Sequence, residues 1–313
     1  MIHIDFDTVH RLAGVGDTIP ALRRVFLSNA VSPPRAHYDL GALDRARTLL
    51  LMPSWQPHGY IGVKIATVFA DNAARGLPSV NAAYVLLSGN TGQPCAWIDG
   101  RALTLIRTAG VSALAADLLA PSAPAVLLMV GTGALSRYLI EGHLAVRRYE
   151  SVLIWGRDRA KAAAVARELD ARGWPVSVAA DLESAARSAD VISCATLAEQ
   201  PLVKGAWLKS ICHLDLVGSF KPGMREADDD CLRGATIIVD TLTALDECGE
   251  LMLPLAAGVI AKESVDSLNG LLKRPAAAAR PRPHRTVFKS VGVAHADLAV
   301  AECLFERHHA LGA

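Results

Sequence analysis

The chain alternates two rhythms of apolar and polar positions. Over its first third, "DTVHRLAG" and "DTIPALRRVFLSNAVS" carry apolar residues at helical spacing, with Asp7 and Asp17 placed as N-caps and Pro20 in the second helix's first turn. "TLLLMPSW", "YIGVKIATVFA", "NAAYVLLSG" and "PCAWIDG" read as strands, and the turn residues of "LSGNTGQPCAWI" join the last two as a hairpin. "RALTLIRTAGVSALAADLLA" keeps helical spacing with Gly110 as its breaker and predicts a helix of about five turns.

Beyond residue 120, strand and helix alternate. "AVLLMVG", "SVLIWG", "VSVAA", "DVISCAT", "ICHLDLVG" and "TIIVD" are strands. "ALSRYLIEGHLAVR", "DRAKAAAVARELDARG", ended by Gly173, and "DLESAARSA", capped by Asp181, are helices. Such alternation builds a parallel sheet covered on both faces. "PAAAARPRPHR" is a Pro- and Arg-rich solvated loop, and "TVFKSVGVAHADLAVAECLFERHHAL" predicts a turn and a long amphipathic helix.

A length of 313 residues suits two domains, and 51% hydrophobic against 20% charged residues leaves ample material for a core. The net charge of +1 gives no electrostatic reason to expect nucleic acid or an anionic membrane as partner. The six cysteines form no C-x-x-C pair and have no His at metal-ligand spacing, so neither a metal site nor a disulfide framework is expected. "MIHIDFDTVHRLAG" has no apolar signal-peptide core, and the longest apolar run, around residues 125–130, is too short to span a bilayer. The expectation is a cytoplasmic, soluble protein.

The strand "AVLLMVG" runs into Gly131-x-Gly133-x-x-Ser136 and then a helix. One glycine permits a sharp turn, the next a close approach of ligand to backbone, and the helix N-terminus attracts a pyrophosphate. Ala134 and Leu135 complete the cradle, Ser136 stands where a third glycine is usual, and its hydroxyl is a candidate phosphate donor. Ala195 and Thr196, which end "DVISCAT", join the cofactor set. A tight turn with no ligand is the plain alternative. The second strand ends in Trp155-Gly156-Arg157, with no acid at its tip for a ribose 2′-hydroxyl. Asp158 is placed to cap the next helix, while Arg157 and Arg159 suit a 2′-phosphate. That favours NADPH over NADH, which stays possible; the alternative is that both arginines are exposed helix-start charges. A separate set of cations, Arg35, Lys64 and Arg107, has no obvious local acid. A Lys inside an apolar strand needs a counter-charge or a cavity. The three either converge on a carboxylate or make three unrelated ion pairs.

"GVKIATVFADNAARGLPSVNAAYVLLSGNTGQPCAWIDGRALTLIRTAGVSALAADLLA", "VGTGALSRYLIEGHL", "VGSFKPGMREADD", "IIVDTLTALDECGEL" and "KSVGVAHADLAVAECLFER" together closely resemble the ornithine cyclodeaminase/mu-crystallin family, in the family's order. The resemblance implies an α/β protein and a homodimer. A Rossmann-type doubly wound parallel-sheet domain that binds NAD(P), residues 121–287, would be inserted in a mixed α+β substrate-binding and dimerisation domain, residues 1–120 plus 288–313. It implies that Arg35, Lys64 and Arg107 bind the substrate carboxylate. Thr108 would lie beside the cofactor, Val217 and Gly218 at the nicotinamide, and Lys289 to Gly292, including Ser290, along the return to the cleft. Cyclodeaminases carry an Asp in a Gly-Gly-Asp-x-Pro-Gly stretch. This chain reads Gly218-Ser219-Phe220-Lys221-Pro222-Gly223, so Phe220 stands where that acid/base would. Phe cannot carry a proton, and Asp215, three residues before Gly218 in a strand, need not reach the cleft.

An apolar wall suits a compact ring, and the variant stretch is like that of the Δ1-pyrroline-2-carboxylate reductase branch. The expected activity is NAD(P)H-dependent reduction of cyclic ketimine carboxylates, giving L-proline or L-pipecolate. Phe220 and Met52 would bury the ring, although Met52 is equally plain core. Lys64 and a bound water are the candidate proton donors. The rivals are an ornithine cyclodeaminase or amino-acid dehydrogenase, and a non-catalytic NADPH-binding protein.

Overall fold

The structure is a computed structural model describing residues 1–41, 47–275 and 284–312; most of the Pro- and Arg-rich segment, 276–283, lies outside the described residues. Two compact units emerge. One comprises Met1–Thr108 with Val293–Ala313, the other Ala109–Gly292. The divisions thus fall at 108 and 292, the first within a helix, rather than at 120 and 287.

The first unit is built on a six-stranded sheet of β1 (Ile2–Ile4), β2 (Ala36–Asp39), β3 (Arg47–Trp55), β4 (Tyr60–Phe69), β5 (Val80–Ser88) and β6 (Pro94–Asp99), ordered β1-β6-β5-β4-β3-β2. β2 to β6 pair antiparallel and β1 joins β6 in parallel. Helices α1 (Phe6–Leu12) and α2 (Val15–Leu27) precede most of it. The cap of α1 is Asp5 rather than Asp7, because Asp5 Oδ1 accepts from the Thr8 amide. In α2, Gly14 is the N-cap and Asp17 sits three residues in, where its carboxylate accepts the Gly14 amide. Pro20 therefore lies beyond the first turn, inside α2.

Period-two alternation sorts the sheet's faces. Met52, Lys64, Tyr84 and Ile98 lie directly opposite one another on successive strands, all buried. The opposite parity carries Leu51, Val63, Ile65, Val85 and Trp97, half-buried to exposed.

The 20-residue α3 (Gly100–Leu119) has the length and apolarity of a bilayer-crossing helix, more than any strand run, yet 83% of that apolar window is buried inside the protein. Leu103, Ile106 and Leu114 are fully enclosed, each worth about 2 kcal/mol relative to exposure.

The second unit is an eight-stranded, wholly parallel sheet. Its strands are β7 (Val126–Val130), β8 (Ser151–Trp155), β9 (Val176–Val178), β10 (Val191–Cys194), β11 (His213–Leu216), β12 (Thr236–Val239), β13 (Val265–Ser267) and β14 (Thr286–Lys289), in the order β13-β12-β14-β11-β10-β7-β8-β9. Helices α4 (Ser136–Val146), α5 (Arg159–Asp170), α6 (Leu182–Ser188), α7 (Asp229–Leu232), α8 (Ala244–Glu247), α9 (Gly249–Ala256) and α10 (Leu268–Lys273) connect them. This is a Rossmann-type doubly wound fold: the chain leaves β7 toward β8 and β9, then returns to lay β10 on β7's other side. "TVFK" is not a turn; it is β14, lodged between β11 and β12. The final helix, α11 (Ala294–Gly312), returns to the first unit and packs on α2 and β4.

Candidate active site

Lys64 points from β4 into the buried face of its sheet, directly opposite Met52 on β3 and Tyr84 on β5. Its Nζ donates to Asp297 Oδ2 at 2.7 Å, and Arg107 Nε donates to Asp297 Oδ1 at 2.9 Å. Asp297, in the first turn of α11, is thus the counter-charge that the local sequence around Lys64 and Arg107 lacks. All three are buried. The charges do not balance, however: two cations share one carboxylate. Lys64 keeps two N–H bonds and Arg107 its terminal nitrogens without partners among the described residues. Burial, then repulsion by Arg107, pulls the Lys64 ammonium down to about 8, with Asp297 restoring part. Burial works against the Asp297 charge, but Arg107 and Lys64 outweigh it and hold that carboxyl below its ordinary range. Arg35, just before β2, adds to the positive field at Lys64. Chemically, two buried cations with donors to spare can hold a second carboxylate.

Met52 is 4% exposed beside Lys64. Thr108, the residue after Arg107, is likewise buried. Tyr84 was not singled out by sequence. Its phenol is buried, its hydroxyl has no partner among the described residues, and burial followed by the Asp297 charge pushes its ionisation well above the ordinary value, so it stays neutral. Gly62 makes room for it: a Cβ there would lie 1.8 Å from the Tyr84 hydroxyl. The only sequence signal for Tyr84 was its parity in "NAAYVLLSG".

In the second unit, Gly131 follows β7 with φ +123° and passes so close to the exit of β10 that a Cβ would meet the Ala195 carbonyl oxygen at 2.6 Å. Gly156, after β8, would strike Thr132 at 2.6 Å. These close approaches bring the exits of β7, β8 and β10 around one cavity of about 650 Å³. It is lined by Gly131, Gly133, Gly156, Arg157, Asp158, Ala195 and Thr196, together with Thr132, Trp155, Lys161 and residues 197–200 and 202. It opens at the β7/β10 switch point, where doubly wound sheets take nucleotides.

Three expectations change here. The Ser136 hydroxyl does not face a ligand: it is 1% exposed and donates to the Gly133 carbonyl at 2.6 Å, closing the turn. Asp158, as expected, caps α5, its carboxylate accepting the Ala160 and Lys161 amides. The second cation lining the cavity is Lys161 rather than Arg159, because the first turn of α5 carries Lys161 round to that side. Ala134 and Leu135 belong to the turn before α4 and do not line the cavity.

Val217 continues β11, its amide bonded to the Cys194 carbonyl, and the Gly218 amide donates to Glu226. Ser290 donates to Asp240, which also takes the Val291 and Gly292 amides. Phe220 is 36% exposed, with the Lys221 ammonium 5.5 Å from its ring centre. Asp215 is sequestered in the core, accepting from Ser112, Ser193 and His143.

The residues fit a nicotinamide dinucleotide: bare glycine backbone at the turn, an open cavity, and Arg157 and Lys161 on its wall. Comparison with known proteins agrees. The family model described as the ornithine cyclodeaminase/mu-crystallin family matches residues 8–311. A Δ1-pyrroline-2-carboxylate reductase of Colwellia psychrerythraea is 34% identical over 311 residues, spanning 97% of this chain and 98% of its own. The structure of Thermococcus litoralis Δ1-pyrroline-2-carboxylate reductase with NADH and L-proline superposes with a TM-score of 0.93 at 26% identity, covering 100% of this chain and 98% of that one. An archaeal alanine dehydrogenase dimer with bound NAD gives a TM-score of 0.90 at 27% identity, covering 99% and 97%. With its buried cation pair, its switch-point crevice and a match over nearly its whole length, the chain belongs to the ornithine cyclodeaminase/mu-crystallin family.

Proposed function

We propose that this protein is an NAD(P)H-dependent reductase of cyclic ketimine carboxylates. It converts Δ1-pyrroline-2-carboxylate to L-proline and accepts Δ1-piperideine-2-carboxylate, giving L-pipecolate. The observation that carries the reading is the charge imbalance at Asp297, where two buried cations hold one carboxylate between them and keep donors in reserve. Lys64 and Arg107, with Arg35 alongside, hold the substrate carboxylate and so fix the ring. Met52 and Phe220 are its apolar neighbours, and Phe220 removes the acid/base that ring-forming deamination of ornithine requires. The nicotinamide, when bound, supplies a hydride. A protonated imine is already electrophilic, so orientation and exclusion of water are the chain's main contributions. Lys64, poised near neutrality, is the side-chain candidate for giving the nitrogen its proton, with water as the alternative.

The cofactor-binding set is Gly131, Gly133, Gly156, Arg157, Asp158, Ala195 and Thr196 at the crevice, with Thr108, Val217, Gly218 and Ser290 toward the nicotinamide. NADPH is preferred, since Arg157 and Lys161 line the crevice and the tip of β8 is Trp155 rather than an acid. The protein acts as a soluble, cytoplasmic homodimer without nucleic acid or membrane partners. The half-exposed apolar face of its antiparallel sheet, including Ile65 and Trp97, supports the pairing, as does the dimeric state of the archaeal alanine dehydrogenase.

The test is NADPH and NADH oxidation with freshly generated five- and six-membered cyclic imines, with open-chain 2-oxo acids plus amines as competitors. Turnover of the cyclic imines, abolished in Arg107→Ala while nucleotide affinity is kept, is the expected result. Ammonia and proline formed from ornithine and NAD would establish a cyclodeaminase instead. Nucleotide binding without any turnover would establish a binding protein.

A further inference from the structure

The exits of β10 and β11 are held together by one buried side chain. Glu226 Oε1 accepts the Thr196 amide at 2.7 Å and the Thr196 hydroxyl at 2.9 Å; its Oε2 accepts the Gly218 amide at 2.7 Å. The fit leaves no slack, since a Cβ on Gly218 would lie 2.1 Å from the Thr196 carbonyl oxygen and 2.5 Å from Glu226 Oε1. Glu226 is itself fastened from behind. Glu250, in α9, accepts the amides of Glu226 and Ala227 at 2.8 and 2.9 Å, and the Glu226 carbonyl takes the Leu202 and Val203 amides. Both carboxylates are fully buried. A buried carboxylate is a costly way to tie two loops unless their spacing matters. Here one loop carries Thr196 into the nucleotide crevice, and the other carries Val217 and Gly218.

We propose that Glu226 is a positioning residue for the nicotinamide dinucleotide: by tying Thr196 to Gly218, it fixes the β10 exit, which lines the crevice, at a set distance from the neighbouring exit of β11. The inference rests on the nucleotide reading above and extends it to a group that need not touch the cofactor. Burial, opposed by Lys289 and by the Thr196 and Gly218 donors, raises the Glu226 carboxyl, so the site depends on those donors to remain charged.

The test is Glu226→Gln. The amide keeps the size of the side chain but turns an NH2 against one of the two backbone amides. Stranding one buried N–H should weaken NADPH and NADH binding at least about tenfold, read by titration of protein fluorescence. Hydrogen exchange on the nucleotide-free protein should show faster exchange at the Thr196 and Gly218 amides, with amides elsewhere in the sheet unchanged. Should Glu226→Gln fail to fold, Thr196→Val removes the hydroxyl's bond to Glu226, together with the long one it accepts from the Ala198 amide, and should still weaken nucleotide binding by about threefold. Wild-type nucleotide affinity in either folded variant overturns the inference while leaving the functional reading intact. A wild-type protein that binds neither nucleotide overturns both.

Discussion

Replacing Asp297 with Asn tests the architecture of the cation site most directly. The substitution keeps the shape of the side chain and removes the carboxylate that Lys64 and Arg107 share. Removing one partner of a buried ion pair costs about 3–5 kcal/mol, because the charge left behind is uncompensated. The two cations respond differently. Arg107 cannot lose its proton, so its share of the loss is unbuffered. Lys64 can, because its folded pKa of about 8 lies below the ordinary lysine value. Neutralising it at pH 7 costs about 1 kcal/mol, which caps its share there. At pH 6 the cap roughly doubles, and above pH 8 it nearly vanishes. The sign follows: Asp297 stabilises a charged Lys64 only below pH about 8, and that contribution is lost as the pH rises through this value. Asp297→Asn should therefore lose about 3–5 kcal/mol at pH 7, with a deficit widening by roughly 1 kcal/mol at pH 6. Urea unfolding followed by circular dichroism at pH 6, 7 and 8 measures it. L-proline, supplying a carboxylate, should recover more stability in the variant than in the wild type. Unfolding within about 0.5 kcal/mol of wild type at pH 6, the scatter of ordinary surface changes, would refute the reasoning. So would a deficit that grows with pH.

If Lys64 holds the substrate carboxylate as proposed, kcat/KM for a cyclic ketimine carboxylate should fall above pH about 8 as the free enzyme loses the Lys64 proton, and a profile flat to pH 9.5 would remove Lys64 from the clamp. Arg157→Ala should weaken NADPH severalfold more than NADH, as judged by paired fluorescence titrations, since its guanidinium lines the crevice where no acid ends β8. An unchanged affinity ratio would withdraw the nucleotide preference. Ile65→Lys puts a charge at the centre of the half-exposed sheet face, and light scattering should show a dimer becoming a monomer; a dimer surviving this change assembles through another surface.

Most of the fold was legible because its elements announce themselves locally. Period-two runs gave β3 to β6, and the strand–helix alternation gave the parallel sheet, because buried parallel strands are short apolar runs that need a covering helix on each side. The glycine turn was equally plain: Gly131 is required by a backbone angle and by the nearness of the Ala195 carbonyl, and both leave a residue-level trace. The missing acid at the tip of β8 was another local fact, as was Phe220 in place of a proton carrier.

What escaped was decided by partners far along the chain. "TVFK" has two polar ends and only two apolar residues, too little to read as a strand. It becomes β14 because Thr286 finds the Leu119 carbonyl and His213, and Lys289 finds the Leu216 carbonyl, inside the sheet. Ser136 looked like a phosphate donor until the turn closed on its hydroxyl. Asp297 lies more than 180 residues from either cation it serves. Sequence by itself determined the two architectures, the glycine turn and the presence of cations with no acid nearby in the chain, since these depend on spacing and residue type. Only the tertiary structure decided which carboxylate meets that charge and which hydroxyls are already committed, because pairing among buried polar groups is settled by where the backbone brings them together.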